Sequence, residues 1–252
     1  MKIQKIFSYS RNVNQSKFPE EKGGMERVTD DIVWVEEISK EDKSKIEEVV
    51  NNFPKVLPTF RGGFSEIYVV DKKYAIKRTF YYHGDEVIDN PDAGADSSGF
   101  PIERILQSDK YLLRQMKGHK NFPTLYGYTG NLKWEEDMVH EDIVIMDYLA
   151  GPNLKDLIER CRTRKQQWEI IKKLENPIKK VIVDILNAGW YPVDLRFRCI
   201  YPDEECNDFK LIDYNLYQTI NYMIENDSTI DFSDPVKLAN SIWERLVKRE
   251  MN

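Results

Sequence analysis

Three charged residues and a glycine pair are set in contexts that would hold them in place. In "FKLIDYNLYQ" (209–218) an apolar run ends on Asp213, followed by Tyr214 and Asn215. An aspartate there is either a turn residue or a hard oxygen ligand for a dication that carries phosphates. Asp194, in "VDLRFRCIY" (193–201), reads by itself as a turn or cap aspartate. Lys77, in "YAIKR", lies in a strand with Ala75 on the same face by the two-residue period. Such a lysine either runs its stem along the surface or faces a cleft, where it can pair phosphate oxygens. In "RGGFSEIYVV" (61–70), Gly62 and Gly63 either form a hairpin turn or let backbone N–H groups approach an anion.

The elements that must position these residues follow from periodicity and punctuation. The polar stretch 1–30 reads as a flexible N-terminal arm, and "DIVWVEEI" (31–38) as a strand. Ser39 with Asp42 fits a capping box, and Ile46, Val49, Val50 and Phe53 then predict a helix over 40–53. "SEIYVV" and "KYAIKRTF" around "DKK" predict a β-hairpin, and 86–100 a loop. Pro101 opens a helix, "PIERILQSDKYLLRQMK", and "TLYGYTG" and "DIVIMDYL" are two further strands. The second half is mainly helical. "NLKDLIERC" and "TRKQQWEIIKKL" are two helices, and Pro177 begins a third that Gly189 stops. Residues 193–213 read as two short strands around an acidic turn. The last helix turns Val236, Ala239, Ile242, Trp243 and Leu246 inward.

Composition narrows the class. With 252 residues, 41% hydrophobic and 12% aromatic, the chain can bury a sizeable core in one large domain or two small lobes. A net charge of −6 from nearly balanced charges argues against general nucleic-acid or membrane-surface binding. Three cysteines without a C-x-x-C pair make a disulfide framework or a zinc site unexpected and favour a reducing compartment. No apolar run is long enough to span a membrane, and the N-terminus has no secretory apolar core.

Glycine pair, strand, turn, strand and then Ala75-Ile76-Lys77 is an order that resembles the start of the protein-kinase-like family. The resemblance runs in order through residues 57–217. "DKYLLRQMKGHKNFPTLYGY" (109–128) is similar to the family's regulatory helix, turn and following strand, and "IVIMDYLAGPNLKDLI" (143–158) to its adenine-holding strand, hinge and helix. It implies an α+β, bilobal protein-kinase-like fold: a small antiparallel sheet lobe with one helix (57–149, including the hinge) and a shortened, mainly helical C-lobe (150–252). The strand–helix unit 31–56 would be an extension packing on the small lobe.

By the same resemblance, Gly62, Gly63 and Ser65 form the phosphate loop, and Lys77 holds the α/β-phosphates. Asp109, or Glu103 in another register, positions Lys77. Met146 takes the gatekeeper place, and backbone groups from Asp147 to Leu149 bond adenine. Asp194 orients the acceptor hydroxyl and takes its proton. Arg196 steadies the transferring phosphoryl group, and Asp213 binds Mg²⁺.

The departures are specific. Phe60 and Ser65 stand at two loop-glycine positions, and Pro192-Val193 replaces the His-Arg before the catalytic aspartate. Cys199 occupies the place of the metal-binding asparagine, with Asn215 and Asn207 the nearby oxygen alternatives. Asp213-Tyr214 resembles the motif of haspin-type kinases. No activation segment or Ala-Pro-Glu anchor follows, as in stripped-down kinases among bacterial effectors and phage proteins.

The expectation is therefore an atypical Ser/Thr (or Tyr) protein kinase using ATP and Mg²⁺ on an unidentified protein substrate or host partner. It would act in the cytoplasm or after secretion into a host cytosol. A pseudokinase binding module and a kinase-fold nucleotidyl or small-molecule phosphotransferase are the competing expectations.

Overall fold

The computed structural model describes residues 32–53, 56–61, 65–81, 102–129, 132–134, 139–214, 216–226 and 229–251. The hairpin that carries Lys77 pairs β3 (Ser65–Val70) with β4 (Tyr74–Tyr81). Its turn has Asp71 and Lys72 at φ 52° and 53°, closed by the Lys73 N–H on the Val70 carbonyl at 3.0 Å. Two successive left-handed residues twist a hairpin in the sense its strands need. Around it lie β1 (Val33–Trp34), β2 (Phe60–Arg61), β5 (Leu125–Tyr128), β6 (Leu132–Trp134) and β7 (Val139–Asp147). Together they make a seven-stranded antiparallel sheet, ordered β1-β5-β7-β4-β3-β2 with β6 beside β7. β1 approaches β5 so closely that a Cβ on Gly127 would come within 3.0 Å of Ile32 and 3.1 Å of Trp34.

Alternation gives this sheet two different faces. On one, Tyr68, Val70, Tyr74, Ile76, Ile143 and Ile145 form a core with Ile46 and Val50 of helix α1 (Lys40–Asn51) and with Phe53 just beyond it. Ser39 caps that helix by accepting the Asp42 N–H at 3.0 Å. The Asp42 carboxylate reaches across to Lys73 Nζ (2.9 Å) and the Tyr74 hydroxyl (2.8 Å), which fastens the helix to the hairpin turn. These bonds hold the Asp42 carboxyl below its ordinary pKa. The opposite face carries Lys77, Thr79 and Asp142, all buried, and meets helix α2 (Ile102–Gln115).

The chain divides into two units. The first is built from the described residues up to Lys110 together with those of 124–148, and the second from Tyr111–Pro123 and the described residues from Leu149 onward. The second is helical around α3 (Leu154–Arg160), α4 (Arg164–Asn187), α5 (Ile220–Asn226) and α6 (Pro235–Met251). Two small antiparallel ribbons accompany these helices, β9 (Ile200–Pro202) with β10 (Phe209–Leu211), and β8 (Trp190–Tyr191) with β11 (Gln218–Thr219).

Two expectations are corrected here. Pro177 does not begin a helix; α4 runs through it. Ile171, Leu174, Ile178, Val181, Ile182 and Ile185 form one buried stripe across the proline. That packing outweighs the roughly 3 kcal/mol an interior proline costs. Gly189, at φ 87°, then supplies the stop. In α6 the inward residues are Leu238, Ala239, Ile242, Trp243 and Leu246, whereas Val236 in the first turn is 61% exposed.

Candidate functional site

Lys77 is carried by the central strand β4 and is only 3% exposed. Its Nζ lies 2.6 Å from Asp109 Oδ2, itself buried in α2. Asp109 is one of the two acidic residues that the sequence offered on this helix. The next helix residue makes a second buried pair that sequence reasoning missed, Lys110 Nζ to Asp142 Oδ1 at 3.2 Å. Asp142 sits on β7 opposite Thr79, one strand over from Lys77.

The pairs cross in sign: helix acid to strand base, then helix base to strand acid. Exchanging them would set Lys110 against Lys77 and Asp109 against Asp142, so together they specify one seating of α2. "AIKR", "SDKY" and "HEDI" contain the four charges, yet nothing in any of these segments says that they are buried together.

Burial pushes the Asp142 carboxyl up to about 7, although Lys110 and Lys77 both favour its ionised form. Its folded pKa lies above the unfolded value of 3.8. The stability that Asp142 contributes is therefore fully present below that value and lost as pH rises through about 7. The urea midpoint is expected to fall between pH 5.5 and 8.5 in the native chain, and to fall less in Asp142→Asn. Equal slopes for the two proteins would refute the assignment.

At the end of β7, Met146 is buried beside Ala75 and Leu125. The Asp147 N–H donates to the Thr124 carbonyl at 3.1 Å, and the Tyr148 N–H to the Lys73 carbonyl at 3.0 Å. The Asp147 carboxylate accepts the Thr124 N–H and the Tyr126 hydroxyl, each at 2.8 Å. Two of the three amides expected to meet a base edge are thus already committed within the chain. Ser65 begins β3, and Glu103 lies in α2. Gly62, Gly63 and Asn215 fall outside the described residues.

In the second unit, Asp194 follows β8 on a turn. Arg196 Nε donates to Asp194 Oδ1 at 2.5 Å, and Arg198 Nη2 stands 3.8 Å from Oδ2. Both carboxylate oxygens thus face a cation. Three residues past Arg196, Cys199 ends a 3₁₀ turn and is 2% exposed. Its carbonyl accepts the Ile212 N–H at 2.9 Å, and its Sγ lies 4.0 Å from Asp213 Oδ2. Burial pushes the Cys199 thiol far up from its ordinary range, so it stays protonated.

Asp213 occupies the left-handed region at φ 70°, a conformation that aspartate tolerates better than most residues. Tyr214 behind it is buried against Phe122 and Tyr217, with its hydroxyl donating to the Leu211 carbonyl. The strand leading to Asp213 is held on one side by β9 and on the other by Asn121, a second residue that sequence reasoning missed. Asn121 Nδ2 donates to Asp208 Oδ1 and to the Phe209 carbonyl, and its own carbonyl accepts the Leu211 N–H, all at 2.7 Å. Asn121→Ala strips both side-chain bonds from a site 4% exposed. It is expected to cost about 2–3 kcal/mol in chemical denaturation; a loss under about 0.5 kcal/mol, the range of an ordinary surface change, would contradict this role.

Asp213 and Cys199 test the fit of a metal. Among the described residues no cluster of three His, Cys, Asp or Glu side chains could hold an ion by itself. One hard carboxylate suits a Mg²⁺ ion whose other ligands are phosphates and water, whereas a protonated thiol offers nothing to a second hard ion.

Neither a protein-family model nor a curated protein matches the chain. A solved structure does. It is that of a viral kinase. The structure of the Cydia pomonella granulovirus kinase PK-1 is 17% identical, with a TM-score of 0.44, and the match covers 71% of this chain. The chain spans 60% of that structure's length. No helix among the described residues is long and apolar enough to cross a membrane.

Proposed function

We propose that the chain is an ATP- and Mg²⁺-dependent phosphotransferase of the protein-kinase-like kind, moving the γ-phosphoryl group to a serine, threonine or tyrosine hydroxyl of a protein. The observation that carries this reading is the Lys77–Asp109 pair: a lysine on a central strand, 3% exposed, fixed by a helix carboxylate at 2.6 Å. Burying an ammonium costs several kcal/mol, so a chain that keeps one there points to a use for it. A positioned ammonium that binds α/β-phosphates is such a use.

The remaining residues take roles that match their surroundings. Asp194, held by Arg196, orients the acceptor hydroxyl and takes its proton as the new O–Pγ bond forms and the bond from Pγ to the β-phosphate oxygen breaks. Arg196 supplies positive charge beside that step. Asp213 would hold a single Mg²⁺, which when bound neutralises phosphate charge. Of the three amides from Asp147 to Leu149, that of Leu149 is assigned to the adenine edge, since the other two serve Thr124 and Lys73.

One observation favours a second reading. Cys199, buried and soft, stands beside Asp213 in place of an oxygen ligand. A pseudokinase that binds partners without transferring phosphate would have no need of that oxygen. Calorimetric titration with ATP, with and without Mg²⁺, separates the two. The phosphotransferase reading expects binding that Mg²⁺ strengthens and that Lys77→Met abolishes. Absence of ATP binding under both conditions would overturn it. Intact-mass analysis after incubation then distinguishes phosphoryl from nucleotidyl adducts.

A further inference from the structure

The Asp194 turn is gripped by a helix distant in sequence. Arg249, near the end of α6, donates from Nη2 to the carbonyl of Leu195, the residue between Asp194 and Arg196. Its Nε lies 3.3 Å from Glu250 Oε1. The same Glu250 oxygen stands 3.9 Å from Arg196 Nη1, on the guanidinium whose Nε holds Asp194. One turn earlier in α6, Arg245 Nη2 donates to the Tyr191 hydroxyl at 2.8 Å, just ahead of the loop. The result is a chain of alternating charge, Asp194–Arg196–Glu250–Arg249, in which no side chain is more than 24% exposed.

We propose that Glu250 is a positioning residue for the Asp194 site, locking the Arg196 guanidinium in the orientation that holds the Asp194 carboxylate. Three observations support it. First, the Arg196 guanidinium faces two carboxylates, with its Nε on Asp194 Oδ1 at 2.5 Å and its Nη1 3.9 Å from Glu250 Oε1. Second, Glu250 lies between two guanidiniums. Burial holds the Arg249 pKa below its ordinary value, and the charge of Arg196 adds to that. Without Glu250 the two cations would repel, and Arg196, the one on the loop, would give way. Third, α6 is a firm base, seated by Leu238, Ala239, Ile242, Trp243 and Leu246. Such partly buried charges are screened less by salt than a surface pair is.

The inference rests on the role assigned to Asp194 above, and two readouts keep the claims apart. The first needs no activity. In the full chain the Arg196 Nε–H is expected to give a slowly exchanging NMR signal, because it is bonded to Asp194. Glu250→Gln, which keeps the shape and removes the charge, should broaden or lose that signal; Glu244→Gln, on the exposed side of the same helix, should leave it intact. An Arg196 signal unchanged in Glu250→Gln overturns the proposal.

The second readout is kinetic. Glu250→Gln should lower kcat roughly 10- to 100-fold, the cost of a misplaced catalytic group, with KM for ATP unchanged, since Lys77 and Asp213 are untouched. Equal kcat, or a rise in KM alone, also overturns it. If Glu250→Gln does not fold, Glu250→Asp carries the same comparison, with the charge drawn back by one methylene. If the native chain transfers no phosphate, the functional reading fails, and the Arg196 signal still decides the role of Glu250.

Discussion

Asp109→Ala is expected to cost about 3–5 kcal/mol of folding stability, because it leaves the Lys77 ammonium buried without its carboxylate. The pair is 2.6 Å apart, with side-chain exposures of 3% and 5%, so both groups are shielded from bulk water. Asp142 is close enough to Lys77 to interact with it, which argues for the lower end of that range. Guanidinium unfolding should show a reduced midpoint at constant slope; a loss below about 1 kcal/mol, well short of that range, would mean that the pair is not closed in solution.

Removing both charges is predicted to behave differently. The double variant Lys77→Met/Asp109→Leu replaces a buried ion pair with apolar side chains of similar length, a change that is often neutral or stabilising by about 1–4 kcal/mol. It should fold at least as well as the native chain and yet show no response to ATP. That outcome would separate what the pair does for binding from what it does for the fold.

Asp213→Asn is expected to remove the Mg²⁺ dependence of ATP binding and to lower phosphoryl transfer by at least about 10³-fold, since a metal at phosphate contributes several kcal/mol. Asparagine is the informative substitution, because it accepts the φ of 70° that alanine would resist. Tyr214 and Asn121 hold the surrounding backbone, so the folded spectrum should persist. Cys199→Asn is the reciprocal test. It places an amide oxygen where a protonated thiol now lies 4.0 Å from Asp213 and should lower the Mg²⁺ concentration needed for half-maximal binding. If Asp213→Asn binds ATP with undiminished Mg²⁺ dependence, the ion is held elsewhere.

The candidate site was legible in the sequence to the extent that each residue carried its own local pattern. Lys77 stood in a strand of period two, Asp213 at the end of one, and Asp194 on a turn after a helix stop. The choice of Asp109 over Glu103 depended on the resemblance, and the 2.6 Å pair is the observation that bears on it. What stayed hidden depends on contacts between distant segments. Lys110 with Asp142 spans 32 residues, Asn121 with Phe209 spans 88, and Arg249 with Leu195 spans 54. No window of the chain contains both members of such a pair. Pro177 misled for the opposite reason: a strong local signal was overruled by a stripe of buried residues on both sides of it. β6 and α5 were missed because three- and seven-residue elements leave little periodicity to read.

On the proposed reading, Lys77, Asp194 and Asp213 together move a phosphoryl group from ATP. The most direct measurement is intact-mass and radiolabel detection of γ-phosphate transfer by the purified full chain, to itself and to proteins of a cell lysate, with Mg²⁺ present. The native chain is expected to transfer phosphate, Asp194→Ala and Asp213→Asn to lose that transfer, and Asp194→Ala to retain ATP binding. A folded native chain that transfers nothing, or an Asp194→Ala variant that transfers as well as the native protein, would contradict it.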